Sequence, residues 1–143
     1  MELTINGQVY QFNFGMRFLR DVNKKIQVPV DNLKDVSKGI GLKYMIGSVM
    51  DGEVEPLADL LHAANQGQTP RVTKELLDDY IDDPETDIDK LFEDTLGFLR
   101  TANATKKTVA EIEKAVAAEK ERQEALKKAL EEFQKKAQDE KKQ

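Results

Sequence analysis

The chain has 143 residues, a net charge of −5, 39% apolar and 34% charged side chains, and no cysteine. That composition allows one modest core with an appendage. It excludes a disulfide framework, a thiolate metal site and a thiol nucleophile, and it disfavours general nucleic-acid binding.

No apolar run reaches the roughly 18–20 residues that a membrane helix needs. The opening Met1 to Ile5 has no basic stretch leading into an apolar segment, so no signal peptide is expected. Charge is uneven along the chain. Residues 1–103 carry 11 basic and 18 acidic side chains, net −7; residues 104–143 carry 11 and 9, net +2. The shift predicts a body over 1–103 and a separate segment over 104–143.

Asn6-Gly7 predicts a type I′ hairpin, whose two central residues need positive φ. A two-residue loop there pairs Ile5 with Gln8, Leu3 with Tyr10 and Met1 with Phe12. Alternation then puts Met1, Leu3, Ile5, Tyr10, Phe12 and Phe14 on one face, and Glu2, Thr4, Val9, Gln11 and Asn13 on the other. One hairpin is only marginally stable alone. Its cover is the helical pattern from Met16 to Ile26, with Phe18, Leu19, Val22 and Ile26 on one side. Leu3, Ile5, Tyr10 and Phe12 are therefore candidates for a structural platform, or for contact between subunits in a homo-oligomer through a free sheet edge.

Residues 27–37, with Pro29 and Asp31-Asn32, read as a loop. Leu42, Met45, Ile46, Val49 and Met50 then form a helical face that ends at Asp51-Gly52. Pro56 opens the next helix, whose apolar face is Leu57, Leu60, Leu61 and Ala64, closed by Gly67. Thr73 is placed to cap a helix bearing Leu76, Leu77, Tyr80 and Ile81, with Val72 and Leu77 as its hydrophobic staple. After Pro84, Thr86 and Asp89 resemble a capping box. The helix that follows carries Ile88, Leu91, Phe92, Thr95, Leu96 and Leu99.

The window 75–94 holds ten acids and one base, Lys90. Its spacing fails as a calcium loop, because Pro84 intrudes and no glycine makes the sharp turn. It reads as a solvated acidic face or a partner surface. His62 is the only histidine, so no zinc pair exists. Ser37 and Ser48 lack a nucleophile-elbow setting. Gly39 and Gly41 in "KGIGLKY" are a fragment without the third glycine or a preceding strand. No catalytic group, metal site or cofactor site is expected.

From Lys106 the chain lacks Gly and Pro and is rich in Ala, Glu, Lys and Leu, which predicts one long helix to Gln138 with residues 138–143 frayed. Glu124–Lys128, Glu131–Lys135 and Glu132–Lys136 have i,i+4 spacing. A heptad places Val109, Val116, Gln123, Leu130 and Ala137 in one row, and Ile112, Glu119, Leu126, Phe133 and Glu140 in the other. Glu119 and Gln123 interrupt that seam, leaving it too poor to specify a stable dimer alone. Three readings stand: a solvated helix, packing on its own body or a sister subunit, or docking of another protein's amphipathic helix. The last makes Val109, Ile112, Val116, Leu126, Leu130 and Phe133 candidate partner-binding residues. The expected fold is α+β and mainly α: an N-terminal hairpin on a small helical body, with a long C-terminal helix.

The stretches "LTINGQVYQFNFGMRFLRDVNKK", "GEVEPLADLLHAANQG", "VTKELLDDYID" and "DIDKLFEDTLGFL", in that order, resemble tail assembly chaperones of long-tailed phages and prophages of Gram-positive bacteria. The resemblance covers residues 1 to about 100. It implies an assembly factor in the host cytoplasm that keeps the tape measure protein soluble, recruits the tail tube protein and leaves before the virion is complete. It also implies no catalytic residues; the net charge and the lack of a long apolar run lead to the expectation of no nucleic-acid partner and no membrane partner. The rival reading is a structural or coiled-coil adaptor protein retained in the phage particle.

Overall fold

A computed structural model describes residues 1–142. The elements in chain order are β1 (Glu2–Ile5), β2 (Gln8–Gln11), α1 (Met16–Asn23), β3 (Gln27–Pro29), β4 (Ser37–Gly39), α2 (Gly41–Met50), α3 (Val54–Asn65), α4 (Lys74–Asp82), α5 (Ile88–Thr101) and α6 (Lys106–Lys141). The class is α+β and mainly helical, as the sequence pattern implies. The chain divides into two units, Met1–Ala110 and Glu111–Gln143.

In the first unit, β1 and β2 pair antiparallel with Leu3 opposite Tyr10 and Ile5 opposite Gln8. Asn6 and Gly7 take φ of 51° and 78°, the positive values that a two-residue I′ loop needs. Ile5, Tyr10, Phe12 and Phe14 are buried, while Glu2, Thr4, Val9, Gln11 and Asn13 are exposed. One face of the hairpin therefore belongs to the core. Phe14 meets Phe18 of α1 edge to face, with ring centroids 5.1 Å apart, an arrangement favoured by the ring quadrupoles.

The core is completed by Val22 of α1, Leu42, Ile46 and Val49 of α2, Leu57, Leu60 and Leu61 of α3, Leu77 of α4, and Leu91 and Leu99 of α5. Each is a residue that the 3.6-residue period places on a buried side. Helix α3 is central in this unit: it packs on α1, α2 and α4.

Three local readings need correction. First, α1 stops at Asn23, and Ile26 lies beyond it. The Ile26 carbonyl accepts from the Ile40 amide at 2.9 Å, so that stretch begins a second hairpin. Second, residues 27–37 are not simply a loop. β3 and β4 pair with Val28 opposite Lys38, around a connection in which Asn32 and Asp35 have positive φ. Strands of three residues are too short to display period-2 alternation, and most of this segment is exposed. Third, the cap of α5 is Asp87, whose carboxylate accepts from the Lys90 amide at 3.1 Å. Thr86 donates its hydroxyl hydrogen to the Tyr80 carbonyl at 2.6 Å instead. Thr73 caps α4 as expected, accepting from the Leu76 amide at 3.1 Å.

The two glycines of "KGIGLKY" serve packing. A Cβ on Gly41 would overlap the Val22 carbonyl, and one on Gly39 would come within 2.6 Å of the Asn23 carbonyl. The absence of both side chains lets the end of α1 meet the start of α2. There Asn23 Oδ1 accepts from the Leu42 amide at 3.0 Å. It satisfies one of the orphan N–H groups that every helix start leaves open.

The second unit, from Glu111, is helical through Lys141. Gln138 to Lys141, part of the end expected to fray, lie within this helix; Gln143 lies outside the described residues.

Candidate protein-binding site

Each sequence-predicted contact residue can now be placed. Of the hairpin set, Leu3 is half-buried, and Ile5, Tyr10 and Phe12 are buried. A buried amide holds this hairpin to the helical body. Asn65, at the end of α3, is fully buried. Its Nδ2 donates to the Gln11 carbonyl at 2.9 Å and to the Pro70 carbonyl at 3.3 Å, and its Oδ1 accepts from the Val72 amide at 2.7 Å. The Asn13 amide also donates to the Ala64 carbonyl at 2.8 Å. The C-terminal end of the β2 strand line, at Gln11 and Asn13, is thus tied to the end of α3, and β1 forms the sheet's other edge. Sequence reading missed Asn65. Its only signal was a polar residue adjoining the apolar positions of α3, and a surface helix shows the same signal.

The partner-binding set on α6 separates by exposure. Val109 and Ile112 are buried, at 1% and 8% exposure. Val116, Leu126, Leu130 and Phe133 are exposed, at 55%, 70%, 56% and 71%. Leu126, Leu130 and Phe133 stand four and three residues apart, so they share one helix face. Such a row of large apolar side chains in water is unfavourable by about 25 cal/mol per Å² of surface and is the usual mark of an interaction surface. The ion pair on this face joins Glu119 and Arg122 at 2.6 Å. It falls within the interruption of the seam, and it is an i,i+3 pair unlike the three i,i+4 pairs that the sequence suggests.

A further apolar surface lies on the first unit. A cleft of about 630 Å³ is lined by Phe12, Phe14, Met16, Phe98 and Thr101 among others. Met16 and Phe98 at its mouth are 52% and 43% exposed, and the Phe98 ring stacks on Phe14 at 6.4 Å. Sequence reading treated Met16 only as the start of a helix and did not place Phe98 on the apolar face of α5.

The ten acids of the 75–94 window are all exposed. Three make local contacts: Asp87 as the cap already described, Asp83, which accepts from the Glu85 amide at 3.0 Å, and Asp94, which pairs with Lys90 at 3.4 Å. Among the described residues, no group of three or more His, Cys, Asp or Glu side chains is arranged to hold a metal ion. His62 is half-buried on α3. Its pKa is lowered from 6.5 chiefly by desolvation, then by the charges of Lys74, Lys25 and Arg71, against an opposing effect of Asp59. Among the described residues, no helix is long and apolar enough to cross a membrane.

These features define a helix-rich α+β protein whose distinguishing surfaces are apolar side chains held in solvent. A model of the phage tail assembly chaperone protein family, TAC, matches residues 2–114, and the chain belongs to that family. The match runs from β1 through the first residues of α6. Neither a curated protein nor a solved structure matches the chain. Family membership carries a role as a chaperone of phage tail assembly, with tail proteins as its partners.

Proposed function

We propose that this chaperone binds the tape measure protein, keeps its long helices soluble, brings them to the tail tube protein, and is absent from the mature virion. Binding uses the face of α6 that carries Leu126, Leu130 and Phe133, with Val116 toward its start. The site of action is the host cytoplasm. In this reading residues 1–103 supply the folded body, with the hairpin as its platform, and residues 104–143 supply the client-binding helix.

The observation that carries the reading is the apolar row on α6, 56–71% exposed over Leu126, Leu130 and Phe133. A helix-in-groove or helix-on-helix contact reads anchors from i, i+3, i+4 and i+7, and Leu126, Leu130 and Phe133 supply i, i+4 and i+7. Its interruption at Glu119 and Gln123 suits a contact that must later be released. Val109 and Ile112 are buried in the free chain and are not part of the binding row in this scheme.

Co-expression with the tape measure protein tests it. The full chain is expected to keep that protein soluble and to co-elute with it in size-exclusion chromatography. A Leu126→Asp/Leu130→Asp/Phe133→Asp variant is expected to fold and fail at both. A variant that performs as the parent does would refute the assignment. Mass spectrometry of purified virions, expected to find none of the chain, tests its departure.

A further inference from the structure

The side chains bordering the exposed row on α6 specify its partner further. With Leu130 at heptad position a and Leu126 and Phe133 at d, the flanking e and g positions from 120 to 141 are Lys120, Arg122, Lys127, Ala129, Gln134, Lys136 and Lys141. Five are basic, two are neutral and none is acidic. The acids Glu121, Glu124, Glu131, Glu132 and Asp139 sit at f, b and c, away from the seam. Two acids lie in the seam row itself. Glu119 is held by Arg122 at 2.6 Å, and Glu140 is at the far end.

In helix pairs, e and g residues meet their counterparts across the interface and choose the partner. Two copies of this helix would bring only basic or neutral groups together there, in either orientation and in any register over this span. Like charges so placed are repulsive. The seam is also narrow, two rows wide with a mixed-charge opposite face, whereas a lipid-binding helix presents a broad apolar face opposite a basic one.

Building on the proposed function, we infer that α6 selects an amphipathic helix of another protein whose apolar stripe is bordered by Asp or Glu, and that it rejects its own copy. The basic flank supplies the choice of partner, and Leu126, Leu130 and Phe133 supply the adhesion.

The test uses the full chain and three labelled helical peptides of about four heptads. They share a leucine seam and carry Glu, Gln or Lys at every e and g position. By fluorescence anisotropy in about 50 mM salt, the Glu peptide is expected to bind about tenfold tighter than the Gln peptide and about 100-fold tighter than the Lys peptide. The margin should shrink in about 500 mM salt, where the Debye length is only a few ångströms. A Lys120→Glu/Lys127→Glu/Lys136→Glu/Lys141→Glu variant is expected to reverse the order. Equal binding of the three peptides overturns the inference, as does an unchanged order in the variant. A concentration-dependent dimer abolished by Leu130→Asp would give the seam to a second copy. Binding to phosphatidylserine vesicles in preference to the Glu peptide would give it to a membrane. Either result overturns the inference. If charge reversal leaves tape measure solubility unchanged while the seam-to-Asp variant loses it, the partner rule alone falls and the holding function stands. If the seam-to-Asp variant retains solubility, the holding function itself falls.

Discussion

Replacing Asn65 by Leu should detach the N-terminal hairpin from the helical body. Leucine is close in size, so the change removes hydrogen bonds with little cavity. Three backbone groups lose their partner: the buried Val72 N–H and the Gln11 and Pro70 carbonyls. A buried group left unsatisfied costs about 1–3 kcal/mol. Allowing about 2 kcal/mol for the buried N–H and about 1 for each half-buried carbonyl gives roughly 4 kcal/mol. That is a large part of the roughly 5–15 kcal/mol that holds a domain folded. Urea unfolding followed by tyrosine fluorescence is the suitable assay, because the chain has no tryptophan and Tyr10 lies buried in the hairpin. Far-ultraviolet circular dichroism is less suitable, since the helix from Glu111 contributes signal without reporting on the first unit's core. With a slope of about 1.5 kcal/mol per molar urea, the midpoint should fall by about 2.5 M. A control change, Gln66→Ala, removes an exposed hydrogen bond to Arg71 and should cost under about 0.5 kcal/mol. If Asn65→Leu costs no more than the control, Asn65 is not what joins hairpin to body.

Gly41→Ala should destabilise by about 2–4 kcal/mol, because the new methyl group overlaps the Val22 carbonyl; chemical denaturation measures it, and a neutral result would refute the close approach of α1 and α2. Thr73→Ala should cost about 1 kcal/mol through the lost cap on α4, read as a drop in thermal midpoint. Leu126→Asp and Phe133→Asp should leave the chain's stability unchanged within about 0.5 kcal/mol, since both side chains are some 70% exposed, while abolishing client solubility. His62 should make stability pH-dependent. Its folded pKa lies below the unfolded value of 6.5, so the unfolded chain binds more protons between the two values. The stabilisation is therefore complete above 6.5 and is lost as pH falls through the folded pKa. His62→Gln should flatten that part of a stability–pH curve.

Much of this protein is written locally. Asn6-Gly7 with alternating neighbours could form only one hairpin register without turning Ile5, Tyr10 and Phe12 to water. The helical faces of α2 to α5 and the Thr73 cap follow from spacing within a few residues. The exposed row on α6 is likewise a matter of period, and so is its basic border. What spacing could not carry is any feature that depends on a neighbour distant in the chain. Asn65 looks like an ordinary polar helix residue until Gln11, 54 positions earlier, is brought against it. Gly39 and Gly41 resemble part of a phosphate loop until α1 is laid against them. β3 and β4 are too short to announce themselves, and only their pairing makes them strands. The heptad rows treat Val109, Ile112 and Leu126 as equivalent, yet the first two are buried and the third is exposed. The local sequence decided which conformations were cheap and which faces were apolar. Only tertiary structure decided which of those faces would be covered, because burial is a property of what arrives from elsewhere in the chain.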